Sequence, residues 1–447
     1  MEQDRYTLTY RAVEAQQVMR WIQAGQSGCL VGLRGAGKSN FLRFLLDKDV
    51  QQHYLGQDYD SSVFALIDLL ALTERTEWAV YELILDRLVG RLRSSGIEQA
   101  TVQEIASFHQ KAIQSRDTLS ARRAFEQCVN VLCQRPAQKI VLFLDEFDAV
   151  FWPLDPFVFR CLRAVRDEHK GQLSYIVVTD NPTRLQADLS HAEHFYRLIS
   201  RNVCGLGPYS EADARQMIHY LVSRRSIEVN SKDTAHLIEL SGGHAGLLKA
   251  ALSLLWDVHP EGDLAELIPA LIDEPTIQAE CAKMWQGLSE SEQTALCALV
   301  SGTQAAPNIL RHLKLKGLVR ENEFEQSLFS PLFTDFVYQQ IPPLIKNTIV
   351  SRSPPMVRID GRHIETLTEL EFEMLCYLYE QRGQVCTKDD LITNVYRQQY
   401  DRMKGGVADE TLQTLISRLR RKIEPDRGRP RYIVTVRGEG YKFVVPD

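Results

Sequence analysis

The chain has 447 residues, of which 44% are hydrophobic and 25% charged, with a formal net charge of −6. The length suits about three domains, and the composition is that of a globular protein. The overall charge excludes a polycation, so any nucleic-acid contact must come from a local patch.

The nine cysteines are scattered, odd in number and never in a C-x-x-C pair. That usage fits reduced, mostly buried thiols in a cytoplasm rather than a disulfide frame or zinc site. The first residues, Met1 to Arg5, are polar and show no signal-peptide core. No run approaches the roughly 18 apolar residues of a membrane span, so no membrane partner is expected.

Residues 6–27 read as an amphipathic lead-in in which Tyr10, Arg11 and Glu14 are candidates to pack on a nucleotide base. A short apolar run, Gly28 to Val31, then enters GLRGAGKS at Gly32–Ser39, which fits G-x-x-x-x-G-K-[ST] at every fixed position. Helical spacing resumes from Asn40 to Leu46. Strand, glycine loop and helix in that order form a phosphate-binding loop, the Walker A motif. Gly32, Gly35 and Gly37 allow backbone conformations that other residues resist. The amides of Arg34, Ala36 and their neighbours, through Asn40, can then converge on phosphate oxygens at a helix N-terminus. Lys38 should reach the β- and γ-phosphates of ATP, and the Ser39 hydroxyl should ligate Mg²⁺.

Ser62–Asp68 reads as a second buried strand, and residues 76–133 as helical crossover with Val80, Leu83, Ile84, Leu88 and Val89 in a stripe. Ile140 to Asp145 is an unbroken apolar strand ending in Asp145-Glu146, a Walker B pattern. Asp145 is expected to hold Mg²⁺, and Glu146 to orient or deprotonate the attacking water. A third buried strand, Leu173 to Thr179, places Thr179 or Asn181 where a polar group can sense the γ-phosphate. Arg197 and Arg201 follow. Either suits an arginine finger acting across a subunit interface, which implies a homo-oligomer.

These motifs, followed by Gly205-Leu206-Gly207-Pro208 and Gly242-Gly243-His244, resemble the AAA+/STAND group of ATPases, including its origin-recognition-like branch. The resemblance covers about residues 5–275. It implies that Pro208 opens a small helical lid touching the nucleotide. Ser210 with Asp213 makes a helix N-cap there. The group has proline where this chain has Ala245.

Residues 276–345 contain a helix capped by Ser289 with Glu292 three residues on, then a second helix ended by Gly317. This resembles the winged helix that trails the lid in those ATPases, with Lys314, Lys316 and Arg320 as candidate DNA contacts and an intramolecular clamp on the ATPase as the alternative. A proline-marked linker is expected over 346–356.

Beyond it, Leu367-Thr368 with Glu371-Phe372, the helix through Ile416–Lys422 and the closing Arg437–Phe443 hairpin resemble the OmpR/PhoB-type winged-helix DNA-binding domain, over about 357–445. Between Thr414 and Lys442 there are nine Lys/Arg and three acids, a local +6, the footprint of phosphate contacts with double-stranded DNA. Leu412, Leu415, Ile416, Leu419 and Ile423 form the buried stripe. Gln413, Thr414, Ser417, Arg418 and Arg421 then face outward to read the major groove, with Lys422, Thr435, Arg437 and Tyr441 as further contacts.

The expected architecture is an α/β P-loop NTPase core (1–205), a helical lid (206–275), a first winged helix (276–345), the linker, and a second winged-helix domain (357–447). The resemblance implies a bacterial transcription regulator switched by nucleotide, using slow ATP hydrolysis, with room for a regulatory protein partner. The alternative is an AAA+ factor that assembles on DNA as initiators or transposition regulators do.

Overall fold

The computed structural model describes residues 6–135, 137–182, 189–223, 229–258, 271, 274–301, 303–322, 325–341, 348–352, 355–359, 362–364, 367–395, 409–424, 430–436 and 438–444. Two compact units divide the chain: Met1–Gln293 with Arg311–Leu318 and Phe329–Leu332, and the rest.

The first unit opens with α1 (Ala12–Gln23), β1 (Gly28–Val31), α2 (Lys38–Leu45), α3 (Lys48–Leu55) and β2 (Ser62–Asp68). A helical excursion follows, α4 (Glu77–Arg93), α5 (Gln99–Ser115) and α6 (Thr118–Cys133). Then come β3 (Lys139–Asp145), α7 (Asp148–Phe151), α8 (Pro156–Glu168), β4 (Leu173–Thr179), α9 (Leu189–Ile199) and β5 (Val203–Gly205). The strands form one sheet in the order β2-β3-β4-β1-β5, with every pair parallel. β1 and β4 are buried at every residue and β3 at all but its first. That follows from their unbroken apolar sequences, because a parallel sheet is covered on both faces by its crossover helices. Tyr81, Phe125, Phe147, Phe159 and Phe195 pack in the core between sheet and helices.

β4 lies between β3 and β1, so the carboxyl ends of all three meet side by side, the place where open α/β sheets bind ligands. The Gly32 N–H donates to the Thr179 carbonyl at 3.1 Å, fixing the start of the Walker A loop against the end of β4. Asp47, Thr76, Asp117 and Asp155 cap α3, α4, α6 and α8 with their side chains. α2 has no such cap; it starts after Gly37 at φ 86°, which leaves its first amides for a ligand.

Three further helices, α10 (Glu211–Ser223), α11 (Ser231–Ser241) and α12 (Ala245–Val258), occupy the expected lid. Ser210 does cap α10, its hydroxyl accepting from the Asp213 N–H at 3.1 Å. Next come α13 (Pro275–Gln286), α14 (Glu290–Val300), α15 (Pro307–Leu315), the antiparallel hairpin β6 (Val319–Asn322) and β7 (Glu325–Leu328), and α16 (Pro331–Gln340). The stretch 276–345, expected as one domain, is shared between the two units. Its Ser289–Glu292 capping box forms, with Ser289 N–H on the Glu292 carboxylate at 2.8 Å. Lys316 cannot contact DNA as expected: it is wholly buried in an ion pair with Glu292 at 2.7 Å.

In the second unit, β8 (Thr348–Arg352), β9 (Pro355–Ile359) and β10 (Arg362–His363) form an antiparallel sheet. Within the span expected as a linker, 346–356, the described residues of β8 and β9 pair antiparallel, with Arg352 opposite Pro355. α17 (Glu369–Glu380), β11 (Val385–Thr387), α18 (Lys388–Val395), α19 (Asp409–Ile423), β12 (Ile433–Val436) and β13 (Gly440–Phe443) complete it, with sheet order β11-β13-β12. This is a winged helix, with Met374, Leu378, Leu391, Leu412, Ile416, Leu419, Tyr432 and Phe443 in one core.

Candidate functional site

The Walker A loop, the ends of β3 and β4, and the lid enclose a cavity of about 690 Å³. Its walls include Gly35, Gly37, Lys38, Ser39, Glu146, Asp148, Asp180, Met217 and Lys249. Gly35 and Gly37 have φ of 82° and 86°, where a side chain would be strained. A methyl group on Gly37 would also meet the Tyr209 hydroxyl at 2.7 Å. The loop is thus open only on its amide side, and those amides, with the uncapped start of α2, suit phosphate oxygens.

Lys38 is 8% exposed and reaches two oxygens. Its ammonium donates to the Gly32 carbonyl at 2.9 Å and to the Asp180 carboxylate. Arg34 donates through Nε to the other Asp180 oxygen at 3.1 Å. The acid between the two expected sensors is therefore the one that meets the loop cations. Thr179 instead donates to Asp148 Oδ1 at 2.7 Å, and the Asp180 N–H donates to Asp148 Oδ2 at 2.8 Å. Asn181 is fully buried and donates to Glu292 Oε2 at 2.9 Å, away from the cavity.

Glu146 lies on the cavity wall, in a left-handed conformation at φ 53°. For a glutamate this is a strained conformation, of the kind that clusters at functional sites. Asp145 is buried, accepts from the Glu146 N–H at 2.9 Å, and does not reach the wall. Burial lifts the carboxyls of Asp145, Glu146 and Asp148 above their ordinary range, against the pull of Lys38. A raised carboxyl is a stronger base, which suits Glu146 for activating water.

Ser39 is exposed and Asn40 half-buried, and both line the cavity. Arg11 is buried and also left-handed, at φ 44°. Its guanidinium donates to the carbonyls of Ala36 at 2.9 Å and Gly207 at 2.8 Å and lies over the Tyr209 ring. Tyr10 is buried beside it and shares a 3.0 Å hydrogen bond with Tyr209. Arg11 and Tyr10 therefore brace the loop from behind and are not on the cavity wall. Pro208 sits in the same connection, against Gly317. His244 is buried with its ring against Gly35. Burial, with the nearby Arg11 charge, lowers its pKa to about 4 even though a hydrogen bond to the Arg34 backbone opposes the shift, so it is neutral. Arg197 is exposed on α9 and paired with Glu193, and Arg201 is exposed; neither lines the cavity.

Asp148, Asp180, Met217 and Lys249 were not singled out by sequence. Strand alternation was the available signal for Asp180: Thr179 and Asn181 share one parity and Asp180 has the other.

In the winged helix, Gln413, Thr414, Ser417, Arg418 and Arg421 are all exposed on α19. That is one continuous face, opposite the stripe buried in the core. Lys422 is turned back, its ammonium on the Glu371 carboxylate at 2.6 Å. Arg420 binds the Ile433 carbonyl at 2.9 and 2.6 Å and the exposed Thr435 hydroxyl at 2.8 Å. Tyr441 is 6% exposed and belongs to the core, so its ring is not offered to DNA. Arg437 lies outside the described residues.

Residues 22–186 match the family model described as AAA domain, and residues 362–443 that described as transcriptional regulatory protein, C terminal. Among solved structures, the chain is similar to the Walker-type ATPase of Pyrococcus abyssi, at 15% identity over 73% of this chain and 95% of that one, TM-score 0.47. It is similar to the ORC2 protein of Aeropyrum pernix at 13% identity over 74% and 94%, TM-score 0.41. Its C-terminal part is similar to the DNA-binding domain of RstA from Klebsiella pneumoniae, solved with its RstA box, at 31% identity over 22% of this chain and 91% of that one, TM-score 0.19. Among the described residues no helix is long and apolar enough to cross a membrane. The chain joins an AAA-type P-loop ATPase domain to an OmpR/PhoB-type winged-helix DNA-binding domain.

Proposed function

We propose that this protein is a DNA-binding transcription regulator whose grip on its operator depends on the nucleotide in the P-loop cavity. The observation that carries the reading is the presence, in one chain, of a glycine-built phosphate cradle and an exposed polar and basic face on α19. The input this pairing suggests is nucleotide state, because the cradle and the DNA-reading face lie in the same chain.

Backbone amides of Gly35 to Ser39 and the Lys38 ammonium would hold the phosphates of ATP. Ser39 and, through water, Asp145 would hold Mg²⁺. The ion supplies charge neutralisation for the phosphates when bound. Glu146 orients and deprotonates water, and its raised pKa makes it the better base. Lys249 and Met217 bring the lid to the same cavity, so α10 and α12 contact the nucleotide differently in its two states. A ligand shifts a conformational equilibrium only through such differential contacts. Arg197 or Arg201 would complete the site from a neighbouring copy. On α19, Gln413, Arg418 and Arg421 read base edges, and Thr414 and Ser417 contact edges or phosphates.

The test is genome-wide footprinting of wild type and Lys38→Ala, with purified protein titrated onto a footprinted operator in ATP and in ADP. Occupancy that changes with the variant, and affinity that differs between nucleotides, supports the reading. Equal occupancy and equal affinity overturn it.

A further inference from the structure

The end of β4 joins two ion-pair systems through consecutive residues. Asp180 holds the loop cations: Lys38 on one oxygen and Arg34 on the other. Asn181, the next residue, donates to Glu292 Oε2 at 2.9 Å. Glu292 Oε1 in turn holds Lys316 at 2.7 Å, with both side chains at 0% exposure. Ser289 adds its N–H and hydroxyl to Glu292 at 2.8 and 3.0 Å. Burial would raise the Glu292 carboxyl, but Lys316 and these bonds hold it below the usual range. Glu292 thus stays charged, and its Lys316 pair, Ser289 cap and Asn181 bond form one network.

Asp180 stands where a P-loop lysine would meet a terminal phosphate. A carboxylate on that ammonium is a stand-in for the phosphate, and two anions cannot share the lysine without repulsion. A diphosphate held by the loop amides leaves Asp180 in place. A triphosphate at Lys38 requires Asp180 to withdraw. Asp180 and Asn181 share one planar peptide unit, and their N–H groups are held by Asp148 at 2.8 Å and by the Thr179 hydroxyl at 3.1 Å. A withdrawal of Asp180 that shifts this backbone also moves Asn181, which is bonded to Glu292.

We infer that Asp180 sets the preference of the site between di- and triphosphate, and that Asn181 passes the displacement of Asp180 to the Glu292–Lys316 pair at the start of α14. The inference rests on the proposed nucleotide switch and says which residues read the γ-phosphate and where the reading goes. It differs from a general lid motion because it predicts a response at 289–300 that follows ATP and not ADP.

The experiment uses the full chain, Mg²⁺, and fluorescent-labelled ATP and ADP as probes, with hydrogen exchange as a second readout. Asp180→Asn keeps the shape and removes the charge. It should tighten ATP at least tenfold, about 1.4 kcal/mol, while ADP changes less than threefold. In wild type, ATP should speed amide exchange across 289–300 and ADP should not. Glu292→Gln should bind both nucleotides as wild type does, yet exchange quickly at 289–300 in every state. An unchanged ATP/ADP ratio in Asp180→Asn overturns the specificity role. Equal exchange at 289–300 with ATP, ADP and no nucleotide overturns the relay, and that result needs no variant. If nucleotide binds and alters operator affinity while both of these fail, the switch stands and this route through β4 does not.

Discussion

Acidification should weaken the nucleotide-binding unit through one imidazole. His244 is buried and neutral, with a pKa lowered to about 4, while an unfolded histidine titrates near 6.5. Below 6.5 the unfolded chain binds a proton that the folded one refuses. Stability is therefore present above that pH and falls as pH drops toward 4. At pH 5.5 the cost is RT ln(1 + 10), about 1.4 kcal/mol. It reaches about 3.0 kcal/mol at pH 4, where half of the folded imidazoles are protonated, and levels off below that at about 3.4 kcal/mol, from 2.5 pH intervals at 1.36 kcal/mol each. The raised carboxyls of Asp145, Glu146 and Asp148 work the other way, because the folded state takes up their protons first. His244→Asn separates the two effects. It keeps an acceptor for the Leu247 N–H, which lies 3.4 Å from Nδ1, and leaves the carboxyls alone. Hydrogen exchange of β1 and α12 peptides under urea, at pH 8 and pH 5.5, reads the unfolding of this unit. Wild type should lose about 1.4 kcal/mol more than His244→Asn over that interval. Equal losses would refute the neutral, buried imidazole.

Arg418→Ala should weaken operator binding and reduce the slope of log affinity against log salt by about 1, leaving the melting temperature unchanged. Arg420→Ala should do the reverse, lowering the melting temperature of the winged helix by scanning calorimetry, since its guanidinium ties α19 to β12. Glu371→Gln should cost about 1–2 kcal/mol in urea melts, through the capping box and the Lys422 pair. Burial raises the Glu371 carboxyl, but Lys422 and Thr368 outweigh it and hold it low. Its contribution is therefore present above the usual glutamate pKa and disappears as pH falls through the lowered one, a slope the variant should lack. Gly205→Ala should cost about 3 kcal/mol of stability, because a Cβ there would lie 1.8 Å from the Leu315 carbonyl. A soluble variant melting like wild type would refute that packing.

The sheet was legible because parallel strands leave an unbroken apolar signature: Gly28–Val31, Ile140–Asp145 and Leu173–Thr179 each form a strand. The Walker A loop was legible because its geometry demands particular glycines. What sequence could not give was which cation meets which anion. Lys316, Arg420 and Lys422 look alike in a charge count, yet one is sealed in an ion pair, one holds a hairpin and one holds a helix cap. Tyr441 closes a motif that reads as a wing contact, but the core takes its ring. Asp180 was passed over because an acid beside a phosphate site runs against simple charge matching. The strand β8 was hidden by the serines and prolines around it.

Arg11 has a practical consequence. Its guanidinium joins two carbonyls that lie 25 and 196 residues further along, and its backbone amide donates to Asp213 at 3.2 Å. Trimming the front of the polypeptide back to the first helical residue would delete that strap and leave the Ala36 oxygen without its donor. A shortened version meant only to ease crystallisation would then report the nucleotide affinity of a loosened loop.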